Sequence, residues 1–184
     1  DKYNNPILAA AKLISSLHEY FLREKERPSV LAIGFIEAKG STNVIPQNVK
    51  LQGTFRAVDE DFRKLARQKM KQISSKIANT YRLDIDFNIH KGYPCLVNDH
   101  TLTHASIKYA KEFIGAENVT ELQIRMTAED FAYFSHAVPS CYYRLGTANI
   151  QKGIINGLHT SCFNIDEKSL EIGMGLMTYL AVKN

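Results

Sequence analysis

The feature that most constrains this chain is the order in which two hydrophobic periods follow one another over its first half. Behind Pro6, the apolar residues Ile7, Ala10, Ala11, Ile14, Leu17 and Phe21 recur at three and four and share one helical face. Proline suits a first helical position because its φ is already set and it has no N–H to leave unsatisfied. The run Arg23-Glu24-Lys25-Glu26-Arg27, followed by Pro28, ends the pattern. The period then drops to two. Val30 to Ala38 is β-rich, with Ile33, Phe35 and Ile36 apolar. After a Gly-Ser-Thr-Asn loop, Val49 to Arg56 alternates as a second strand. Asp59 stands where an N-cap belongs, and Glu60 and Asp61 fill the first turn, where the helix dipole favours acids. Phe62, Leu65, Ala66, Met70, Ile73 and Ile77 then mark a long amphipathic helix, and Leu83, Ile85, Phe87 and Ile89 alternate as a further strand.

The first half therefore reads helix, strand, strand, helix, strand. A ferredoxin-like unit has one more strand at its start. Without that strand a sheet has an uncovered face or edge, which is an aggregation liability. The chain starts at Asp1 rather than Met, so the expectation is that a segment N-terminal to it has been lost or lies elsewhere. Gly92-Tyr93-Pro94 marks the boundary between two domains, 1–92 and 93–184. Beyond it, Asn98 or Asp99 caps a helix that runs to about Ile114 and is stopped by Gly115. A short strand is expected over Val119 to Ile124. Thr127-x-x-Asp130 resembles a capping box that opens a helix holding Phe131 and Phe134. Cys141 to Leu145 reads as a strand, and Asp166 caps a final helix to about Ala181. Helix alternating with strand is the pattern of the flank of an α/β sheet. The fold class is thus α+β / α/β: an incomplete ferredoxin-like domain followed by part of an α/β domain.

Composition narrows the function classes. With 45% hydrophobic and 23% charged residues the chain is an ordinary globular sequence. Its net charge of +4 is spread among interspersed acids and bases, so nucleic acid has no compositional support as a partner. No apolar run approaches the roughly 18 residues that span a bilayer, and no signal-peptide pattern is expected within these residues, which begin at Asp1 rather than Met. The three cysteines, Cys95, Cys141 and Cys162, are odd in number and irregular in spacing. That argues for buried or half-buried thiols in a reducing compartment, hence a cytoplasmic protein, rather than a disulfide framework.

Few residues carry chemistry by their type and spacing alone. His100 and His104 stand at i, i+4, but no Glu follows His100 as in H-E-x-x-H, and solvated helix positions are the better reading. His18 and His136 read the same way. His159 lies in Asn156-Gly157-Leu158-His159-Thr160-Ser161, a loop between a strand and a helix, where functional groups collect in α/β folds. One histidine cannot by itself supply the three or four ligands of a metal site. Glu129-Asp130 at a helix start is first of all a complement to the helix dipole. Ser140-Cys141 and Ser161-Cys162 lack the glycines of a nucleophile elbow, and no glycine loop could cradle phosphate. Arg56 ends a strand. It is either a solvated cap to that strand or a fork for a carboxylate.

Taken in order, Asn5-Pro6-Ile7-Leu8-Ala9-Ala10-Ala11, Asn43-Val44-Ile45-Pro46, Gly53-Thr54-Phe55-Arg56, Gly92-Tyr93-Pro94, Thr127-Ala128-Glu129-Asp130-Phe131, Leu145-Gly146, Leu158-His159-Thr160 and Phe163-Asn164-Ile165-Asp166-Glu167 resemble the aminoacylase and hippurate-hydrolase family of metallo-amidohydrolases. Carboxypeptidases and dipeptidases share that metallopeptidase superfamily. The resemblance implies a catalytic domain with two metals (zinc, or manganese, cobalt or nickel) and an inserted ferredoxin-like lid that forms a homodimer. It also implies hydrolysis of N-acyl amino acids or small peptides by a metal-activated water, with a glutamate as general base. By the same resemblance His159 matches the last metal ligand, Asn43 and Arg56 match lid residues that hold the substrate carboxylate, and Glu129 matches an acid near the metals that does not ligate them. The family's upstream metal motifs, its Glu-Glu pair and the Gly-Gly-His segment of the lid's first strand have no counterpart here. The chain is therefore expected to be a C-terminal half, inactive alone. The alternative is a non-catalytic dimerisation or carboxylate-binding remnant of that family.

Overall fold

The computed structural model describes residues 4–183, which divide into two compact units. Unit 1 takes in Asp1–Cys95 and Arg125–Glu129, and unit 2 takes in Leu96–Ile124 and Asp130–Asn184. In unit 1, helix α1 (Pro6–Arg23) opens on Asn5, whose Oδ1 accepts from the backbone N–H groups of Ile7 and Leu8 at 3.1 and 3.2 Å. These are two of the donors a helix start leaves unpaired. Strands β1 (Ser29–Ala38) and β2 (Val49–Ala57) form an antiparallel hairpin, with Ser29 opposite Ala57 and Ala38 opposite Val49. The register slips between Ile33 and Phe35. Across from that slip, a Cβ on Gly53 would lie 2.5 Å from the Ala32 carbonyl oxygen and 2.7 Å from Ile33 Cδ1, so the two backbones close there only on glycine.

Helix α2 (Glu60–Tyr81) is capped as its sequence predicts, with the Asp59 carboxylate accepting from the Phe62 N–H. It ends on Arg82, which takes the left-handed conformation at φ 54°. Its apolar face and that of α1 meet in one core of Ala9, Leu13, Leu17, Phe21, Phe62, Ala66, Met70 and Ile77. Leu31, Leu51, Phe55 and Ala57 close this core from the sheet. The rings of Phe21 and Phe55 lie 4.6 Å apart, and those of Phe21 and Phe62 meet edge to face at 6.3 Å.

Leu83, Ile85, Phe87 and Ile89 do face this core at alternate positions, as their spacing predicts. The expected strand is nevertheless not formed: the sheet has two strands, and among the described residues nothing pairs with this run. Alternation fixes which side chains turn inward; a strand needs a partner's backbone as well.

Unit 2 is built on α3 (His100–Ile114) and α5 (Lys168–Lys183), which pack together with Phe113 stacked on Tyr179 at 5.3 Å. Asp99 Oδ1 caps α3 through the Leu102 N–H at 2.8 Å, and Gly115, at φ 89°, stops it. Two further expected strands are corrected. Val119 to Ile124 follows a short 3-10 turn (Ala116–Asn118) and carries no ladder, with Leu122 and Ile124 exposed. Cys141 to Leu145 is tied instead by the Asn98 side chain, whose Nδ2 donates to the Tyr142 carbonyl at 3.0 Å and whose Oδ1 accepts the Tyr142 N–H at 2.8 Å. The helix expected to hold Phe131 and Phe134 forms as the short α4 (Ala132–Ala137), with Phe131 at its N-cap position. Among the described residues no helix is long and apolar enough to cross a membrane.

Candidate functional site

His159 sits at the tip of a long connection in unit 2, exposed, with φ 66°. A left-handed backbone is uncommon for a residue with a Cβ and persists where the surroundings impose it. The surroundings are polar ties. The Asn156 Nδ2 donates to the Cys162 carbonyl at 3.1 Å, the Thr160 hydroxyl donates to the Gly157 carbonyl at 2.9 Å, and the Phe163 N–H donates to the Thr160 carbonyl at 3.1 Å. At the base of the connection Asp166 gathers several donors. Asn149 Nδ2 reaches one carboxylate oxygen at 2.5 Å and Lys152 Nζ the other at 2.7 Å, while the Asp166 N–H donates to the Thr147 carbonyl at 2.9 Å. The Lys152 and Asn149 bonds hold the Asp166 carboxyl down at a pKa of about 2.

Arg56 lies on β2 between Phe55 and Ala57, both of which face the core, so alternation turns it to the opposite face of the sheet. There its Nη1 donates to the Met126 carbonyl at 2.9 Å. It therefore grips the Arg125–Glu129 segment, which contains the half-buried Glu129. One carbonyl occupies only part of the guanidinium fork, whose planar donors also suit a carboxylate. Asn43 stands in the loop between β1 and β2, where Ser41 and Val44 bridge by 3.1 and 3.2 Å backbone bonds and the Ser41 hydroxyl donates to Asn43 Oδ1 at 3.3 Å. Arg56 is about 23 Å from the loop end of β2, at roughly 3.3 Å per residue, and no contact joins it to Asn43 among the described residues.

The remaining candidates stay outside any site. The rings of His100 and His104 lie 4.2 Å apart, tilted at 47°, with His104 Nδ1 bonded to the His100 carbonyl at 2.8 Å. Among the described residues no three His, Cys, Asp or Glu side chains gather as a metal site would require. These residues therefore do not fit a metal by themselves; His159 offers one imidazole and no neighbouring ligand. Cys95 and Cys141 are half-buried, but Cys162 is exposed, correcting the expectation that all three are sheltered. Burial pushes the Cys95 thiol up, and it donates to the Ala57 carbonyl at 3.3 Å. The residues that sequence reasoning missed are Asn149 and Lys152, which meet Asp166 across the loop, and Met126, whose carbonyl receives Arg56. None of these contacts is local in sequence, so no periodicity or cap marked them.

The sequence pattern of Peptidase family M20/M25/M40 matches residues 5–183, and the chain belongs to that family. It is similar to thermostable carboxypeptidase 2 of Saccharolobus solfataricus, at 30% identity over 97% of this chain and 46% of that protein. It is also similar to IAA-amino acid hydrolase ILR1-like 4 of Arabidopsis thaliana, at 29% identity over 97% of this chain and 42% of that protein. Among solved structures, a Bacillus subtilis protein described as a dinuclear metal-binding peptidase from the M20 family superposes with a TM-score of 0.77. That match has 27% identity and covers 97% of this chain and 46% of that one. A methicillin-resistant Staphylococcus aureus structure superposes with a TM-score of 0.82 at 27% identity, covering 98% of this chain and 47% of that one. The chain spans about half the length of the relatives it matches.

Proposed function

We propose that the protein carrying this chain is a cytoplasmic, metal-dependent amidohydrolase that cleaves N-acyl amino acids or small peptides. In this reading residues 1–92 are its lid, through which it forms a homodimer, and 93–184 are part of its catalytic domain. His159 supplies one ligand to a pair of divalent ions, zinc being the expected metal, and the remaining ligands come from residues outside this chain's own set. Such metals, when bound, supply an activated water and polarise the scissile carbonyl. The chain's own tasks are binding and placement. Arg56 and Asn43, far apart on one chain, receive the substrate carboxylate from opposite subunits of the homodimer, the guanidinium through its planar fork, and Glu129 supports the metal environment without ligating it.

The observation that carries this reading is the family match across residues 5–183. It is supported by relatives named as a carboxypeptidase and an amino acid conjugate hydrolase and by a solved structure described as dinuclear and metal-binding. The exposed His159, presented on a left-handed backbone, is in keeping with it.

The test is hydrolysis of a panel of N-acyl amino acids and dipeptides by the full-length protein, with metal content measured alongside. His159→Ala is expected to remove one bound metal and at least about a hundredfold of kcat/KM, the scale of losing a ligand or its support. Arg56→Lys is expected to raise KM for substrates with a free carboxylate and to leave amidated substrates unchanged. Full metal content and full activity in His159→Ala would overturn the assignment.

A further inference from the structure

We propose that a strand of the same polypeptide, from outside residues 1–184, runs between β2 and residues 84–89 of unit 1 and pairs with both. This holds whatever metal or substrate the protein takes.

Residues 83–89 behave as a strand in every respect but pairing. Leu83, Ile85, Phe87 and Ile89 turn into the core and are half-buried, while Asp84, Asp86 and Asn88 are exposed. A period of two is that of a strand with one covered face. The Leu83 N–H closes α2 on the Ala78 carbonyl at 3.0 Å, and from Asp84 to Ile89 no backbone bond is made among the described residues. Backbone donors and acceptors withdrawn from water almost always find a partner in a folded protein.

The neighbouring strand is β2. Among the described residues α1 packs on both β1 and β2, whereas α2 packs on β2 and not on β1. The helices therefore order the layer beneath them as β1, β2 and then the run that follows α2. A helical connection returns the chain to the end of the sheet where the preceding strand began, so 84–89 runs in the same direction as β2. Adjacent strands of that kind form a parallel ladder. These two form none, although both close one core, and β2 is paired on its β1 side alone. Two helix-connected strands with one strand between them are the split βαβ arrangement of ferredoxin-like units.

Burial points to the same place. The eight fully buried side chains of the core all come from α1 and α2, while Leu51, Phe55, Ile85 and Phe87, which close it from the sheet side, are only half-buried. A strand laid between these pairs meets apolar side chains on its inner face. On its outer face it meets Lys50 and Thr54 from one side and Asp84 and Asp86 from the other, all exposed. The segment that fits is as long as the run from Leu83 to Ile89, apolar at alternate positions and polar between, with no proline among its paired residues. The parent polypeptide has chain to supply it: relatives that match 97–98% of this chain are covered over only 46–47% of their own length. The other occupant an open strand edge invites is a second copy.

The experiment is nuclear magnetic resonance on the full-length protein, reading amide exchange residue by residue and cross-strand proton contacts in mixed-label samples. A strand with one neighbour protects alternate amides, and a strand with two protects successive ones. Residues 49–57 should be protected at successive positions, and 84–89 at alternate ones by about a hundredfold or more. Both should show cross-strand contacts to one stretch outside 1–184, within a single labelled copy. Exchange of 84–89 at unprotected rates overturns the proposal, as does alternate protection alone in 49–57. Contacts that pass from one labelled copy to the other also overturn it, and assign this edge to a second molecule.

Discussion

Unit 1 and unit 2 are of similar size, yet they are held together differently. Unit 1 closes a core of eight buried side chains from two helices, with half-buried side chains of the sheet packed against it. In unit 2 the buried apolar residues among those described are Ala132 and Leu176, while Leu170, Met174, Met177 and Val182 on α5 are more than half exposed. What orders unit 2 is a set of specific polar ties: Asn98 to Tyr142, Asp99 to Ser140, and Asp166 to Asn149 and Lys152. Apolar burial is non-directional and scales with area, whereas each polar tie depends on two atoms. Unit 1 should therefore answer to changes in volume, and unit 2 to changes in single donors and acceptors.

The largest effect expected is in the core of unit 1. Phe62 is 2% exposed and touches Phe21 and Phe55. Phe62→Ala should cost about 4 kcal/mol, from lost transfer energy plus the cavity left behind. Leu176→Ala, at a residue 4% exposed in unit 2, should cost about 2 kcal/mol, because sparse surroundings relax into the space. Segment-resolved exchange in urea, following α1 and α2 against α3 and α5, measures both. Equal losses would erase the distinction.

Glycines sharpen the same contrast. Gly53→Ala pushes a methyl against the backbone oxygen of Ala32, which cannot retreat without parting the hairpin, and should cost about 1–3 kcal/mol. Gly173→Ala in α5 meets only the end of the Leu145 side chain, at 2.8 Å. The helix gains about 1 kcal/mol of propensity from the change, which offsets the displacement of Leu145, and the net should be near zero. Denaturation midpoints of the two variants decide it.

The same division explains what could be read from the sequence. The starts of α1, α2 and α3 were legible because Pro6, Asp59 and Asp99 act within three residues of themselves, and Gly115 stops α3 by its own conformation. The inward face of Leu83, Ile85, Phe87 and Ile89 was legible because alternation is local. Their pairing was not, nor that of 119–124 and 141–145, because a ladder depends on a partner strand that local pattern does not reveal. At the candidate site, His159 was marked by its motif, but neither its left-handed backbone nor its fastening was visible. The bonds from Asn149 and Lys152 to Asp166 cross 17 and 14 positions and depend on how the loop closes. Likewise Arg56 was readable as a cation at a strand end, and its carbonyl partner 70 positions away was not.

The smallest effect is acid response, and it separates the two units without any mutation in a core. The Asp166 carboxyl is lowered from 3.8 to about 2 by the bonds from Lys152 and Asn149. A group held down in the folded state contributes stability above its ordinary value, and loses it as pH falls through the folded one. The loop fastening should therefore be fully present above about pH 4 and fade between 3.8 and about 2. Lys152 is 58% exposed, so salt should weaken its share by screening. After correction for intrinsic rates, exchange over 156–163 should rise across that window while α1 and α2, held by their apolar core and containing no buried charge, keep their protection. Asp166→Asn should flatten the pH dependence of the loop. A loop that opens only when α1 and α2 open with it would mean that acid acts on the whole chain, and that the polar ties of unit 2 have no separate stability.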